Sequence, residues 1–180
     1  MTKTAKIYAD ALYDLAQETH AAEDYAPEVQ MVAALLQENP DFLRLLADPS
    51  LPKQERVQLL GDCFGGKIQP YLLNFLKILC ERGIIREYAG CAREFAVRYH
   101  ADFGILEVTA WTAVPMDAPQ REALARRLAE VTGKRIELRC RIDARLLGGV
   151  RLEYDGKMVD GSALGRLQGI RKELLALSFE

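Results

Sequence analysis

The chain has 180 residues, and its 24 lysine and arginine side chains against 26 aspartates and glutamates give a formal net charge of −2. This charge excludes a broadly basic surface of the kind that binds nucleic acid regardless of sequence, and a hydrophobic content of 49% excludes general disorder. The charge is uneven, since residues 1–103 hold 11 basic and 15 acidic side chains and residues 104–180 hold 13 and 11, which predicts two surfaces with different partners.

Apolar residues before Gly104 recur at the helical period and predict six helices joined by short loops. The first helix has one apolar stripe, which consists of Ile7, Tyr8, Ala11, Leu12, Leu15 and Ala16. The second helix ends at Asn39, because a residue that precedes a proline disfavours the helical conformation. A short third helix covers residues 42–47, and a fourth starts at Pro52 and stops at Gly65.

The fifth predicted helix, residues 68–82, is the most apolar of the six, with only Asn74, Lys77 and Glu81 in a polar strip. A helix that is apolar over so much of its surface is central to a bundle or also contacts a partner. The sixth helix places one apolar face along Ile85, Tyr88, Ala89, Ala92, Phe95, Ala96, Tyr99 and Phe103. Residues 1–104 are therefore predicted to form a six-helix bundle.

After Gly104 the apolar period falls to two, which indicates strands. Apolar and polar residues alternate over 106–111 and again over 135–142. A helix is predicted between these strands, with Asp117 as its N-cap, Gln120 completing the capping box and Gly133 at its C-terminal stop.

The end of the chain predicts a hairpin and a last helix. A strand at residues 150–154 leads into Asp155-Gly156, a strong signal for a two-residue turn, and a return strand begins at residues 158–159. Ser162 is predicted to cap a helix whose apolar face consists of Leu164, Leu167, Ile170, Leu174 and Leu177. Residues 105–180 should thus form a small α/β domain with a short sheet and two helices, and the whole chain an α+β fold.

No pattern in the sequence marks an active site. The histidines His20 and His100 have no base–nucleophile arrangement nearby, and the four cysteines lack metal-ligand spacing and are predicted to be reduced and buried. Residues 61–67 fit the Gly-x-x-x-x-Gly-Lys spacing of a phosphate-binding loop, but Ile68 stands where that motif needs serine or threonine, and a helix precedes the loop instead of a strand. We therefore expect no catalytic residue, no cofactor and no metal.

Basic residues concentrate in the second part of the chain, at Arg126, Arg127, Lys134, Arg135, Arg139, Arg141 and Arg145. They could attract an anionic partner, so an RNA- or nucleotide-binding module is the alternative function. The members on the predicted strand alternate outward, which a solvated sheet face also explains, and no aromatic residues interleave with them to stack bases. A small enzyme with an unrecognised site is the third alternative.

One long stretch is more specific than any of these patterns. Residues 142–167 contain Gly148-Gly149, Asp155-Gly156, Asp160-Gly161-Ser162 and Gly165-Arg166, and the chain opens with Tyr8-Ala9-Asp10-Ala11-Leu12-Tyr13-Asp14-Leu15-Ala16. Both segments resemble the F-type ATP synthase delta subunit family, known in mitochondria as the oligomycin-sensitivity-conferring protein. The resemblance covers essentially the whole chain. The glycines and turn residues of the C-terminal segment have structural explanations, so their role is to shape a docking surface.

The resemblance implies a non-catalytic subunit that ties the catalytic head of the ATP synthase to its peripheral stalk, so that rotor torque does not spin the head. It implies that residues 1–104 hold the N-terminal helix of an alpha subunit in a groove between the first and fifth helices, and that residues 105–180 meet the stalk b subunits. On this basis the alpha-subunit site is assigned to Tyr8, Ala11, Leu12, Asn74 and Ile78. These residues combine apolar contact with a polar rim.

The resemblance also implies a location at the cytoplasmic face of a bacterial inner membrane, as part of the assembled enzyme. No window of the sequence approaches the ~20 apolar residues of a membrane span. The predicted partners are therefore protein chains, with no nucleic acid and no direct insertion into the membrane.

Overall fold

The computed structural model describes residues 2–154 and 156–161. Within these ranges seven α-helices and a four-stranded sheet form a mixed α+β fold, as the sequence predicts. Contacts between residues divide the chain into two units between Ala101 and Asp102.

The first unit is helical in its described part. Its elements are α1 (Lys3–Glu18), α2 (Ala22–Glu38), α3 (Pro40–Leu46), α4 (Lys53–Phe64), α5 (Pro70–Glu81), a 3-10 turn (Ile85–Glu87) and α6 (Tyr88–Asp102), whose last residue falls just beyond the division. The sequence predicts α3 from Phe42 and α5 from Ile68, whereas these helices begin at Pro40 and Pro70. Proline at the first helical position costs no intrahelical hydrogen bond, which explains both starts.

The core of this unit is built from aromatic and aliphatic side chains. The largest fully buried ones are Tyr13, Tyr25, Tyr88, Phe95, Leu46, Leu60, Leu72, Leu76, Leu79, Ile85, Val29 and Val32. The predicted stripe of α1 is partly wrong, because Ile7 is 59% exposed and Ala11 is also exposed. The buried stripe of α1 is instead Ala5, Ala9, Leu12, Tyr13 and Ala16.

Small residues allow α1 and α6 to approach closely. A Cβ atom built on Gly90 would lie 3.0 Å from the Cβ of Ala5, so a larger residue at either position would push the two helices apart. The predicted face of α6 is also partly wrong, since Ala89 is exposed and Phe103 is 38% exposed. Periodicity alone places the centre of a buried face to within about one residue.

The second unit contains β1 (Ile105–Thr112), α7 (Ala118–Thr132), β2 (Arg135–Ile142), β3 (Val150–Tyr154) and β4 (Lys157–Asp160) in the order β2-β1-β3-β4. The helix α7 connects the parallel strands β1 and β2, whereas β1–β3 and β3–β4 are antiparallel. The predicted caps of α7 are confirmed. Asp117 Oδ1 accepts from the Gln120 N–H at 2.8 Å, Gln120 Oε1 accepts from the Asp117 N–H at 3.2 Å, and Gly133 has a φ of 66°.

The predicted hairpin joins β3 to β4. Tyr154 pairs with Lys157, which leaves a two-residue connection, and Gly156 has a φ of +69°. The entry to β3 also uses left-handed backbone, at Gly148 and Gly149. After β4, which ends at Asp160, the Gly161 N–H donates to the Val150 carbonyl at 3.2 Å. Asp155 and the predicted last helix, including Ser162, Gly165 and Arg166, lie outside the described residues.

Candidate functional site

A groove of about 250 Å³ lies between α1 and α5. Eight side chains line it: Tyr8, Ala11, Leu12 and Leu15 from α1, and Tyr71, Asn74, Phe75 and Ile78 from α5. Each helix contributes residues at i, i+3, i+4 and i+7, the spacing of one continuous helix face. Two such faces side by side form a trough parallel to the helices.

The groove has a buried floor and exposed walls. Leu12 is 3% exposed and Phe75 is 7% exposed, so these residues form the floor. On the walls, Tyr71 is 50% exposed and Ile78 is 41% exposed, and Ala11 is also exposed. A contiguous apolar surface that stays open to water is typical of a site that a partner covers.

Aromatic contacts fix the floor to the core. The rings of Tyr8 and Phe75 meet edge to face with centroids 6.3 Å apart, and Phe75 lies 6.3 Å from the ring of Tyr88. The Tyr88 hydroxyl donates to the Val29 carbonyl of α2 at 3.1 Å. Burial raises the pKa of Tyr88 well above the usual value for tyrosine, so its hydroxyl stays protonated and keeps this bond. The floor of the groove is therefore already formed in the free protein.

The groove carries no charged side chain among the residues that line it. Asn74 is exposed and offers an amide donor and a carbonyl acceptor, and the tyrosine hydroxyls are the other side-chain polar groups. This chemistry suits the apolar face of an amphipathic helix, with one side-chain hydrogen bond to fix its register. It offers no general base and no nucleophile for catalysis.

The structure brings together all five residues that the sequence assigns to the groove: Tyr8, Ala11, Leu12, Asn74 and Ile78. Sequence reasoning missed Leu15, Tyr71 and Phe75, which line the same trough. Extending the three residues assigned on α1 and the two assigned on α5 to full i, i+3, i+4, i+7 rows gives all three.

The segment that resembles a phosphate-binding loop has a different role. Residues up to Phe64 lie in α4, and the Gly65 N–H donates to the Gly61 carbonyl at 2.8 Å as the helix ends. A Cβ atom on Gly65 would lie 2.4 Å from that same carbonyl oxygen, so the glycine is required by the close turn. Lys67 Nζ donates to the Cys63 carbonyl at 3.0 Å. The glycines and the lysine thus complete a helix C-terminus.

We expect the intact protein to bind magnesium-ATP only weakly and to show no ATP hydrolysis of its own. The Gly65 N–H donates to the Gly61 carbonyl at the end of α4, so it is not available to a phosphate oxygen. The side chain of Ile68 cannot bind magnesium, so the segment lacks both the phosphate-binding amide and the magnesium ligand of the motif. Calorimetric titration with magnesium-ATP checks this expectation. Micromolar affinity that disappears in Lys67→Ala would contradict it.

Three arginines of the sheet have acidic or aromatic neighbours. Arg139 pairs with Glu107 at 3.0 Å, and the guanidinium groups of Arg141 and Arg151 each lie 5.5 Å from the ring centroid of Trp111. Arg151 also pairs with Asp143 at 3.0 Å. A face of mixed and locally paired charges is a poor electrostatic match for a nucleic-acid backbone, which weighs against the alternative function.

The cysteines do not form a metal centre within residues 2–154 and 156–161, where no group of three or more histidine, cysteine, aspartate or glutamate residues could hold a metal ion. Cys80 and Cys91 are buried as predicted, and burial raises the pKa of the Cys91 thiol to about 11. The prediction is wrong for Cys63, which is exposed near the end of α4, and Cys140 is only half-buried.

No helix in the described part of the chain combines the length and the apolar character needed to cross a bilayer.

Comparisons with known proteins agree over nearly the full length. The profile of the family described as "ATP synthase delta (OSCP) subunit" matches residues 4–174. The ATP synthase subunit delta of Gloeobacter violaceus is 33% identical over 94% of this chain and 93% of its own length, and that of Alkaliphilus metalliredigens is 31% identical over 96% of each. A chain of the Toxoplasma gondii mitochondrial ATP synthase hexamer superposes with a TM-score of 0.73 over 97% of this chain and 98% of its own. The two chains are 18% identical, so this likeness shows a shared fold alone. The chain belongs to the ATP synthase delta (OSCP) subunit family.

Proposed function

We propose that the chain connects the catalytic head of the ATP synthase to its peripheral stalk by holding the N-terminal helix of an alpha subunit between α1 and α5, while residues 105–180 meet the b subunits. The observation that carries this proposal is the preformed, uncharged groove with its eight lining side chains. Such a trough fits a helix that presents its own i, i+3, i+4, i+7 row.

Membership of the family makes the chain a non-catalytic component of the peripheral stalk of the F-type ATP synthase. A stator subunit has to resist torque and does not need to transform a substrate. A site built for this role should bury apolar area against a partner, and the groove offers that area without any reactive group.

The composition of the groove supports tight binding. Tyr8 and Tyr71 stand on opposite walls, and aromatic residues at the centre of an interface contribute more than most others to affinity. Ala11 has only a methyl group, so a helix backbone can approach α1 closely there. Asn74 is placed to hydrogen-bond at the edge of the apolar contact.

The assignment of residues 1–104 to a head-binding helical bundle and of residues 105–180 to a stalk-binding domain is part of the same proposal. The division between Ala101 and Asp102 supports two separate units. A location at the cytoplasmic face of a bacterial inner membrane belongs to the proposal as well. It is supported by the bacterial origin of the delta-subunit relatives.

A peptide that contains the N-terminal helix of an alpha subunit tests the function directly. It should bind the intact protein in a saturable titration, and a single-stranded RNA at equal ionic strength should bind much more weakly. The opposite order of affinities would favour the nucleic-acid alternative and overturn the proposal.

Cleavage near Gly104 is expected to release a helical fragment, residues 1–104, that folds and unfolds cooperatively. The largest fully buried side chains lie between Tyr13 and Phe95, and the apolar faces of α1 to α6 can bury one another. The remaining fragment, with fewer than eighty residues and a short sheet, should be less stable. Thermal denaturation followed by circular dichroism checks both expectations, and a fragment 1–104 without a cooperative transition would contradict the proposed boundary.

A further inference from the structure

One arginine of α6 contacts three residues of α1. Arg98 Nη1 lies 3.2 Å from Asp10 Oδ1 and donates to the Asp10 carbonyl at 3.4 Å, while Arg98 Nη2 lies 2.9 Å from Asp14 Oδ1. The guanidinium carbon sits 4.6 Å from the ring centroid of Tyr13. A single side chain thus spans one full turn of α1.

The Tyr13 ring that supports this arginine is itself fixed. Tyr13 is fully buried, and its ring meets Phe95 of α6 edge to face with centroids 5.2 Å apart. The Tyr13 hydroxyl accepts from Gln17 Nε2 at 2.6 Å. The guanidinium is therefore held between an aromatic face and two carboxylates, a geometry that a flexible ammonium would not reproduce.

The contacts of Arg98 and the groove occupy different flanks of α1. Successive helical residues are about 100° apart, so positions 10, 13, 14 and 17 point nearly opposite to positions 8, 11, 12 and 15. Between the two flanks lies the buried stripe of small residues, including Ala9 and Ala16. The helix α1 therefore rests on the core with the groove on one side and Arg98 on the other.

We infer that Arg98 is a positioning residue for the groove: by holding the far flank of α1, it sets the distance and roll of α1 relative to α5. Three of the five buried residues of α1 are alanines, which interlock less deeply with neighbouring helices than long side chains, so Leu12 and Tyr13 alone resist rolling from within the core. Arg98 adds to that resistance through directed contacts. The effect on partner affinity rests on the proposed function, whereas the effect on groove geometry does not.

The expected change is larger in groove shape than in global stability. Arg98, Asp10 and Asp14 are 37%, 38% and 61% exposed in their side chains, and exposed ion pairs contribute little to the free energy of unfolding. Loss of the Arg98 guanidinium should leave the protein folded at 25 °C. It should still change the orientation of α1 relative to α5, and with it the shape of the groove. Misfit of this kind should weaken binding of a helix about three- to ten-fold.

The geometry can be measured without any ligand. In the parent protein, nuclear Overhauser effects should connect the ring protons of Tyr8 and Phe75, whose centroids are 6.3 Å apart across the groove. These effects should weaken or disappear in Arg98→Met and persist in Arg93→Met, a control at an exposed arginine of the same helix. Unchanged effects in a folded Arg98→Met would overturn the inference.

Affinity for the alpha-subunit peptide gives the second measurement. Arg98→Asp and Asp14→Arg should each weaken binding, because each places like charges together. The double variant should bind more tightly than Arg98→Asp, because it restores one ion pair, and less tightly than the parent, because Asp10 then lies beside a carboxylate and the Tyr13 ring has lost its guanidinium. A folded double variant that binds the peptide no more tightly than Arg98→Asp would overturn the inference that Arg98 affects partner affinity. If the parent does not bind the peptide, the proposed function fails, and the ring contacts of the free protein still decide the positioning role of Arg98.

Discussion

Replacement of Ala11 by aspartate is expected to weaken binding of the alpha-subunit helix by about 2–4 kcal/mol. Ala11 lines the groove at a point where a partner backbone can approach closely, so the new carboxylate would be desolvated without a cation among the lining residues. Ile78→Asp should act in the same direction, because Ile78 is 41% exposed on the opposite wall in the free protein. Calorimetric titration of each variant with the peptide measures the loss.

The structure supplies matched controls for this experiment. Ala11 is exposed in the free protein, so Ala11→Asp should lower stability only by its helix propensity, about 0.7 kcal/mol. Ala9→Asp, two residues away at a fully buried position, should instead unfold the protein. Ala89→Asp places the same charge on an exposed site of α6 and should leave affinity unchanged. If Ala11→Asp and Ile78→Asp both fold normally and bind as tightly as the parent, the groove between α1 and α5 is not the alpha-subunit site.

Elements governed by local chemistry could be predicted from the sequence. Asp117, Gln120 and Gly133 fix both ends of α7 through contacts within a few residues, and the structure has these caps. The turn at Gly156 likewise depends on the backbone conformation of adjacent residues. The local sequence does not predict the parallel pairing of β1 with β2, because strand order depends on contacts between residues far apart in the chain.

The groove shows where periodicity stops being informative. A helical period identifies an apolar side of α1, but it does not say whether core or partner covers that side. The sequence predicts one stripe that contains Ile7, Ala11 and Leu12, yet of these three only Leu12 is buried. Tyr13 is absent from the predicted stripe, although it is fully buried and its ring is covered by Phe95 and Arg98. Covering contacts that come from another helix leave no local signal in the sequence.

A buried charge is the clearest feature that the sequence does not reveal. Arg56 of α4 is 5% exposed, whereas its charge and position in the sequence suggest an ordinary surface residue. Its Nη1 donates to the carbonyl of Leu46, the last residue of α3, at 3.1 Å, and lies 3.5 Å from the carbonyl of Cys80 in the last turn of α5. Two helix C-termini, each with a partial negative charge, thus face one guanidinium.

The balance at this site is between hydrogen bonding and desolvation. Hydrogen bonds from a charged donor contribute about 1.5–3 kcal/mol, and the Leu46 carbonyl would otherwise keep only the weak thiol donor of Cys80 at 3.4 Å. Against this, Arg56 Nε is buried without a hydrogen-bond partner among the described residues. That orphaned group offsets about 1–3 kcal/mol of the gain. Attraction to the two helix ends, up to ~2 kcal/mol each in partly buried sites, overlaps with these hydrogen bonds and opposes the desolvation of the guanidinium charge; we expect the sum to favour the arginine.

Arg56→Met is therefore expected to lower the free energy of unfolding by about 2 kcal/mol, because it leaves the Leu46 carbonyl under-satisfied and removes the charge that faces two helix ends. Arg56→Lys should lower the free energy of unfolding by less, because the ammonium group keeps the positive charge and loses only the planar set of donors of the guanidinium. Arg44→Met is the matched control: Arg44 forms an exposed ion pair with Asp41 at 2.9 Å, and its loss should change stability by less than about 0.5 kcal/mol. Urea denaturation of the intact chain measures all three. An Arg56→Met variant as stable as the parent would show that desolvation of the guanidinium outweighs its bonds to α3 and α5.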